Sequence, residues 1–166
     1  SALDVTTRPV VTADLPSIYD LNARVFGPGR FARTAYRIRE GTPEISPFCR
    51  VAVLGERIIA AIRMTDIAIG GTTGSLLLGP LAVDPEFENQ GHGRRLIAES
   101  VAAARQAGRT LILLVGDLPY YGRLGFVVVP RGQIELPGPV DQARLLALEL
   151  APETLPLMRG LVVGMP

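Results

Sequence analysis

The sequence predicts a mixed α/β (α+β) fold, a largely antiparallel central sheet flanked by about four helices. Three observations predict it. Residues 111–115, Leu-Ile-Leu-Leu-Val, are apolar at every position, the pattern of a central strand buried on both faces. An amphipathic segment precedes that strand, and an apolar strand precedes the segment, which is the order of a parallel crossover. The other strand-like segments follow one another through short glycine turns, as antiparallel neighbours do.

Taken in order, residues 5–11 are β-rich and read as a strand. Residues 12–26 read as a helix: Asp14 and Pro16 suit its first turn, and Ile18, Leu21 and Val25 recur at helical spacing. Gly27-Pro28-Gly29 ends it. Residues 30–40 are rich in arginine and read as a second, exposed helix. Arg30, Arg33, Arg37 and Arg39 could attract an acidic substrate, but a charge run on a surface helix is usually a solvated face, and that reading is preferred. Residues 48–54 and 58–69 are strands joined at Gly55-Glu56. The next strand, residues 75–83, contains Gly79-Pro80; proline cannot donate to a ladder, so the strand bulges or splays there and its backbone needs another partner. In residues 93–107, Leu96, Ile97, Val101 and Ala104 mark an amphipathic helix that Gly108 closes. After the central strand comes a short helix, residues 118–124, with Asp117 as N-cap and Pro119 in its first turn. Residues 126–129 and 144–150 complete the strands. No linker, repeat or low-complexity tract interrupts the chain, and 1–166 reads as one domain.

Composition narrows the chemistry. All basic residues are arginine; lysine and tryptophan are absent. That removes Schiff-base lysines, serine–lysine dyads and the lysine of a P-loop. Seventeen basic against sixteen acidic residues lack the positive excess of a nucleic-acid protein. One cysteine, Cys49, in an apolar run, reads as an inert buried thiol, and with His92 the only histidine no metal site is expected. No secretion signal and no membrane-length apolar run is seen, so the expectation is a soluble, cytoplasmic protein without membrane or nucleic-acid partners.

The most informative stretch runs from Leu81-Ala82-Val83 through Asp84-Pro85 to Asn89-Gln90-Gly91-His92-Gly93-Arg94-Arg95. A strand ends, a polar loop follows, and two glycines lead into a helix whose free amides and dipole favour an anion. Arg94 and Arg95 add positive charge. A dinucleotide fingerprint would need a third glycine where Leu96 stands. On the glycines alone, an anion site and an ordinary helix start are both open. Asp117-Leu118-Pro119-Tyr120-Tyr121-Gly122-Arg123-Leu124-Gly125-Phe126 is the second constellation, beyond the carboxyl end of the central strand, where α/β sheets tend to bind ligands. Taken alone it also fits simple aromatic packing.

Together, in this order, the two stretches resemble the acetyl-CoA site of the GNAT superfamily of N-acetyltransferases. Glu88-Asn89-Gln90-Gly91-His92-Gly93 fits that superfamily's Gln/Arg-x-x-Gly-x-Gly/Ala motif except at Glu88, which is expected to face solvent. Tyr121-Gly122-Arg123-Leu124-Gly125-Phe126 fits Tyr-x-x-x-Gly-Phe, and the segments around Leu78–Val83 and Leu146–Leu150 look like the YhbS-like branch. The resemblance implies a sheet splayed at the cofactor site and acetyl-CoA as co-substrate, without a metal. It implies cofactor contacts at Leu81, Ala82, Val83, Asn89, Gln90, Gly91, His92, Gly93, Arg94, Arg95, Tyr121 and Arg123. It implies direct transfer to a primary amine, with a small molecule as acceptor; a peptide amine and a non-catalytic acyl-CoA module are the alternatives. Tyr121 matches the general acid, and a phenol stays protonated at neutral pH. Among Asp66, Asp117 and Glu44, Asp117 is the best placed base or amine contact, although an N-cap role fits it equally. Tyr120 reads as packing and His92 as a loop residue beside the cofactor phosphates. The oligomeric state is open, and the family's habit of dimerising makes a homodimer plausible.

Overall fold

The computed structural model describes residues 4–29 and 33–166. Arg30 lies outside the described residues. Nine strands carry the fold: β1 (Val5–Pro9), β2 (Arg50–Leu54), β3 (Arg57–Ile69), β4 (Thr72–Val83), β5 (Leu111–Val115), β6 (Val127–Val128), β7 (Ile134–Glu135), β8 (Leu145–Glu149) and β9 (Gly160–Gly164). Four helices accompany them among the described residues: α1 (Leu15–Phe26), α2 (Thr34–Arg39), α3 (His92–Gln106) and α4 (Leu118–Tyr121). The main sheet runs β1-β2-β3-β4-β5-β8-β6, antiparallel except where β4 meets β5. The expected βαβ crossover is therefore β4–α3–β5.

Two strands escaped the sequence reading. β9 pairs antiparallel with the far half of β3, from Ile67↔Gly164 to Ile69↔Val162, and in parallel with β7. β2 and β9 thus share one edge of β3, leaving a gap around Arg63.

Burial follows the period of two. Along β4 and β5, Leu76, Leu78, Ile112 and Leu114 face one side and pack against Leu96 and Ile97 of α3. Leu77, Leu111 and Leu113 face the other side, with Ile38 of α2 and Val162 of β9. Leu21 of α1 packs against Val51, Val53 and Ala61 farther along the same sheet. Each such aliphatic side chain contributes roughly 1.5–3 kcal/mol on burial.

The expectation of an exposed second helix over residues 30–40 is corrected. α2 covers only Thr34–Arg39, and its Ile38 is 3% exposed. It lies so close to β9 that an added Cβ at Gly164 would collide with the Ile38 carbonyl oxygen. Thr34 also donates its hydroxyl to the Pro139 carbonyl. Arg33 and Arg37 are exposed, whereas Arg39 is turned inward. Close packing, rather than an amphipathic stripe, seats this helix.

Cys49 is a free thiol at 2% exposure, as expected. No helix among the described residues is long and apolar enough to cross a membrane.

Candidate active site

β4 and β5 pair over only three positions, Ser75↔Leu111, Leu76↔Ile112 and Leu77↔Leu113. Beyond Leu77 the two strands part. Gly79 has φ +129°, the peptide before Pro80 is cis, and the β3–β4 register shifts between Ile62 and Met64. Past this bulge β4 still pairs with β3, through Leu81, Ala82 and Val83, while its other edge has no strand beside it. The splay expected from Gly79-Pro80 is the central fact of the site.

The opening is a cavity of about 900 Å³. Leu78, Gly79, Pro80 and Leu81 line it from β4; Leu114, Val115 and Gly116 line it from β5. Its size fits a substrate rather than a few waters.

Beyond Val83, Asp84 anchors the descent into the loop. It is 1% exposed and accepts hydrogen bonds from Arg24 (2.9 Å), Arg57 (2.7 Å) and the Glu86 amide (3.0 Å). The Arg24 hydrogen bond, with help from Glu86 and Arg57, lowers its carboxyl to about 2. Asn89 (φ +61°) and Gly91 (φ +87°) are both left-handed, and together they turn the loop into α3. The helical ladder starts with the Arg95 amide donating to the Gly91 carbonyl at 3.0 Å. The amides of His92, Gly93 and Arg94 come before it and have no intrahelical acceptor. They form a donor cluster at the positive end of a fifteen-residue helix.

His92 departs from the loop reading. It is the first residue of α3, 6% exposed, edge-on to Phe87 at 6.5 Å, and its Nε2 is buried without a hydrogen-bond partner. Arg94 and Gln90 are exposed beside the donor cluster, and Glu88 faces solvent as expected. The Arg95 side chain is turned elsewhere: it donates to the Val5 carbonyl (3.2 Å) and reaches Glu99 (3.4 Å). Its position is that of a brace between α3 and β1. Arg123 is exposed in the turn after α4.

Tyr121 stands at the opposite lip. Its ring meets Phe126 at 5.6 Å and Tyr120 at 4.8 Å, both edge-on, and it lines the cavity. Burial, with Tyr120 and Asp117 adding, pushes its hydroxyl up to about 12. Tyr120 does more than pack: its hydroxyl is 3.5 Å from the point a Cβ on Gly93 would occupy, so it spans from α4 to the start of α3. Burial raises its hydroxyl too, opposed by Arg94.

Asp117 occupies the N-cap position of α4 but makes no side-chain cap bond; it pairs with Arg144 at 3.3 Å on the cavity rim. Asp66 is remote from the cavity, paired with Arg109 at 2.9 Å. Glu44 lines the cavity and receives the Tyr19 hydroxyl. Arg39 and Arg63 line it as well. Arg63 was missed because a single arginine in an apolar strand reads as an outward residue; its isolation between Ile62 and Met64 was the available signal.

The model of the acetyltransferase (GNAT) domain matches residues 46–128, half of the chain. The chain belongs to the GNAT family. Among relatives, the E. coli K12 "Uncharacterized N-acetyltransferase YhbS" is 28% identical over 51% of this chain and 51% of its own length. "Uncharacterized N-acetyltransferase YjhQ" of the same organism is 28% identical over 69% of this chain and 65% of its own. The match thus spans about half the length of YhbS. The crystal structure of E. coli YhbS in complex with CoA superposes with a TM-score of 0.83 at 24% identity, covering 98% of this chain and 90% of that one. This likeness establishes the GNAT fold. A GNAT acetyltransferase from Brucella melitensis in complex with acetyl-CoA gives 0.64 at 27% identity, covering 86% and 94%.

Proposed function

We propose that this GNAT protein is an acetyl-CoA-dependent N-acetyltransferase acting on the primary amine of a small molecule. One observation carries the reading: an unpaired strand edge leads to an unsatisfied cluster of helix-start amides along one open cleft. The pantetheine arm of acetyl-CoA is an extended amide chain that can pair with the free edge of Leu81–Val83. Its pyrophosphate needs the donors at residues 90–94. The buried, unpartnered Nε2 of His92 lies at that same helix start. The residues fit the group. The bound thioester would supply the acetyl carbon; a C–N bond forms, the C–S bond breaks, the amine loses a proton and the sulfur gains one.

The protein's part in this is orientation and proton handling. Tyr121 remains protonated at any physiological pH, because burial holds its hydroxyl at about 12. It therefore serves as a hydrogen-bond donor to the departing sulfur rather than as a free acid. Three carboxylates line the cavity, Glu44, Asp117 and Asp141; Asp141 caps the Ala143 amide, and Glu44 and Asp117 are the ones we assign to accept the amine proton. A donor of the β4 edge would polarise the thioester carbonyl.

The cofactor half is tested by thermal unfolding. Acetyl-CoA at about a hundred times its Kd should stabilise the protein by about 2.7 kcal/mol; no rise in Tm at saturating concentrations would sink the proposal. A broad amine panel with a free-thiol readout then separates the outcomes: turnover of small amines supports the reading, of peptide amines alone redirects it, and binding without turnover leaves an acyl-CoA module.

Gly116 gives an independent check on Tyr121. A Cβ there would meet Tyr121 Cε2 at 2.7 Å and Leu114 Cδ1 at 3.0 Å, so Gly116→Ala must push the ring off the lip. The expected cost is about 1–3 kcal/mol in stability, with acetyl transfer reduced in the folded fraction. Full turnover in that variant would mean that the ring position is irrelevant.

A further inference from the structure

One wall of the cavity carries an arginine cluster. Arg39 extends from α2 onto the bulge of β4, with Nη2 2.7 Å from the point where a Cβ on Gly79 would sit. Its Nε is buried without a hydrogen-bond partner, and no carboxylate among the described residues forms an ion pair with it. The Nε of Arg63 is likewise buried and unpartnered, although its Nη2 donates to Thr42 Oγ1 (3.1 Å) and the Pro43 carbonyl (3.3 Å). Arg33 stands at the rim, stacked over Phe26 at 5.2 Å.

Other half-buried arginines of this protein are neutralised: Arg50 by Glu99 and Arg109 by Asp66. Burying a cation without a counter-ion is costly, and two facing one another cost more. The strain is evident in Arg39, whose guanidinium is lowered to about 9 by burial and by the neighbouring Arg63 and Arg33. Burial also lowers Arg63, opposed in part by Glu44. An incoming anion would relieve it, and paired forks suit a carboxylate or phosphate.

Position indicates whose anion it is. Gly79-Pro80 precedes Leu81–Val83 on β4, whereas the helix-start amides at residues 92–94 follow it. The arginines therefore lie on the far side of the cofactor edge from the phosphate donors. Glu44, on the same cavity, offers a complementary contact for an ammonium group.

We propose that Arg39 and Arg63 clamp an anionic group, carboxylate or phosphate, carried by the acceptor next to its amine. The inference rests on the acetyl-transfer reading. It makes the preferred substrate an amino acid-like or aminoalkyl phosphate-like compound rather than a plain alkylamine.

The test has three arms. First, acetyl-CoA should raise Tm equally in wild type and in Arg39→Gln; if wild type does not respond, the transferase reading fails by itself. A response lost only in the variant would assign the arginines to the cofactor and overturn the clamp. Second, inorganic phosphate and malonate are added separately to the acetyl-CoA-bound protein. One or both should raise Tm further in wild type, and not in Arg39→Gln or Arg63→Gln; the stronger of the two identifies the anion. No response to either overturns the proposal. Third, β-alanine is compared with propylamine, and O-phosphoethanolamine with ethanolamine, by thiol release. The anionic member should have a KM at least about tenfold lower in wild type, the scale of a charged hydrogen-bond pair. That advantage should collapse in Arg39→Gln and recover only in part in Arg39→Lys. Equal KM values in wild type would overturn the clamp; if no amine of the panel turns over, the phosphate and malonate arm decides. Arg39→Met adds a ligand-free readout: its Tm should equal or exceed that of wild type, whereas a clear fall would make Arg39 a structural residue.

Discussion

Replacing Tyr121 with phenylalanine is expected to lower kcat about a hundredfold while changing acetyl-CoA affinity by no more than about twofold. The phenol ring is locked by Phe126 and by the clearance at Gly116, so the variant keeps its shape and loses only the hydroxyl. Thiolate departure then proceeds without a donor on that side of the cleft. Because burial pushes the hydroxyl up to about 12, the wild-type rate should rise with pH as the amine becomes neutral. At saturating amine it should show no alkaline fall from the phenol up to pH about 10, the ordinary tyrosine value. By contrast, kcat/KM for an anionic amine should fall as Arg39, lowered to about 9, loses its proton. Steady-state kinetics with titration of acetyl-CoA binding checks both halves. An unchanged kcat, or a kcat loss that merely mirrors lost cofactor binding, would remove Tyr121 from the chemistry.

The second large effect is on stability. Asp84→Ala should lower unfolding free energy at neutral pH by about 3 kcal/mol, the low end for breaking a buried ion pair. The low end applies because the stranded partners, Arg24 and Arg57, are 43% and 47% exposed and can be rehydrated. The pH dependence has a definite sign. A carboxyl lowered from 3.8 to about 2 in the folded state adds stability that is complete above its unfolded value and vanishes as pH falls through about 2. That depression corresponds to roughly 2 kcal/mol. Urea unfolding of both proteins at neutral and strongly acidic pH should therefore give a gap that narrows on acidification. A gap that stays constant would mean that Asp84 acts by packing alone. Since Asp84 also fixes the start of the loop into α3, weaker acetyl-CoA binding should accompany the loss.

Much of the β4–β5 cleft and of the turn into α3 was legible in the sequence because each part has a local cause. The all-apolar Leu111–Val115 could only be a buried strand, Pro80 could not complete a ladder, and Gly91 could take a left-handed turn. The wall formed by α2 and β9 was less legible. β9 is a five-residue strand with glycine at both ends, and its partner β3 lies about ninety residues earlier, so no local period marks it. α2 has one deeply buried aliphatic residue, Ile38, and its burial comes from β9 rather than from its own pattern. In the sequence Arg39 reads chiefly as part of a solvated face, with attraction of an acidic substrate as the alternative, because a charge run alone does not show that one of its members reaches the Gly79 bulge of β4. The resemblance implies cofactor contacts for both His92 and Arg95; the burial of one and the Val5 and Glu99 contacts of the other depend on packing that only the folded chain has.

The seating of α2 against Gly164 has a consequence for the order in which the molecule is made. Strands β3, β4 and β5 and helix α3, which frame the proposed cofactor cleft, lie within residues 57–115 and can associate soon after they are synthesised. The wall bearing Arg39 is different. Its helix is made early, but the strand it rests on comes more than a hundred residues later. On the proposed assignments, a nascent chain would thus possess its cofactor cleft before its acceptor wall, and selectivity would be the last property to be acquired.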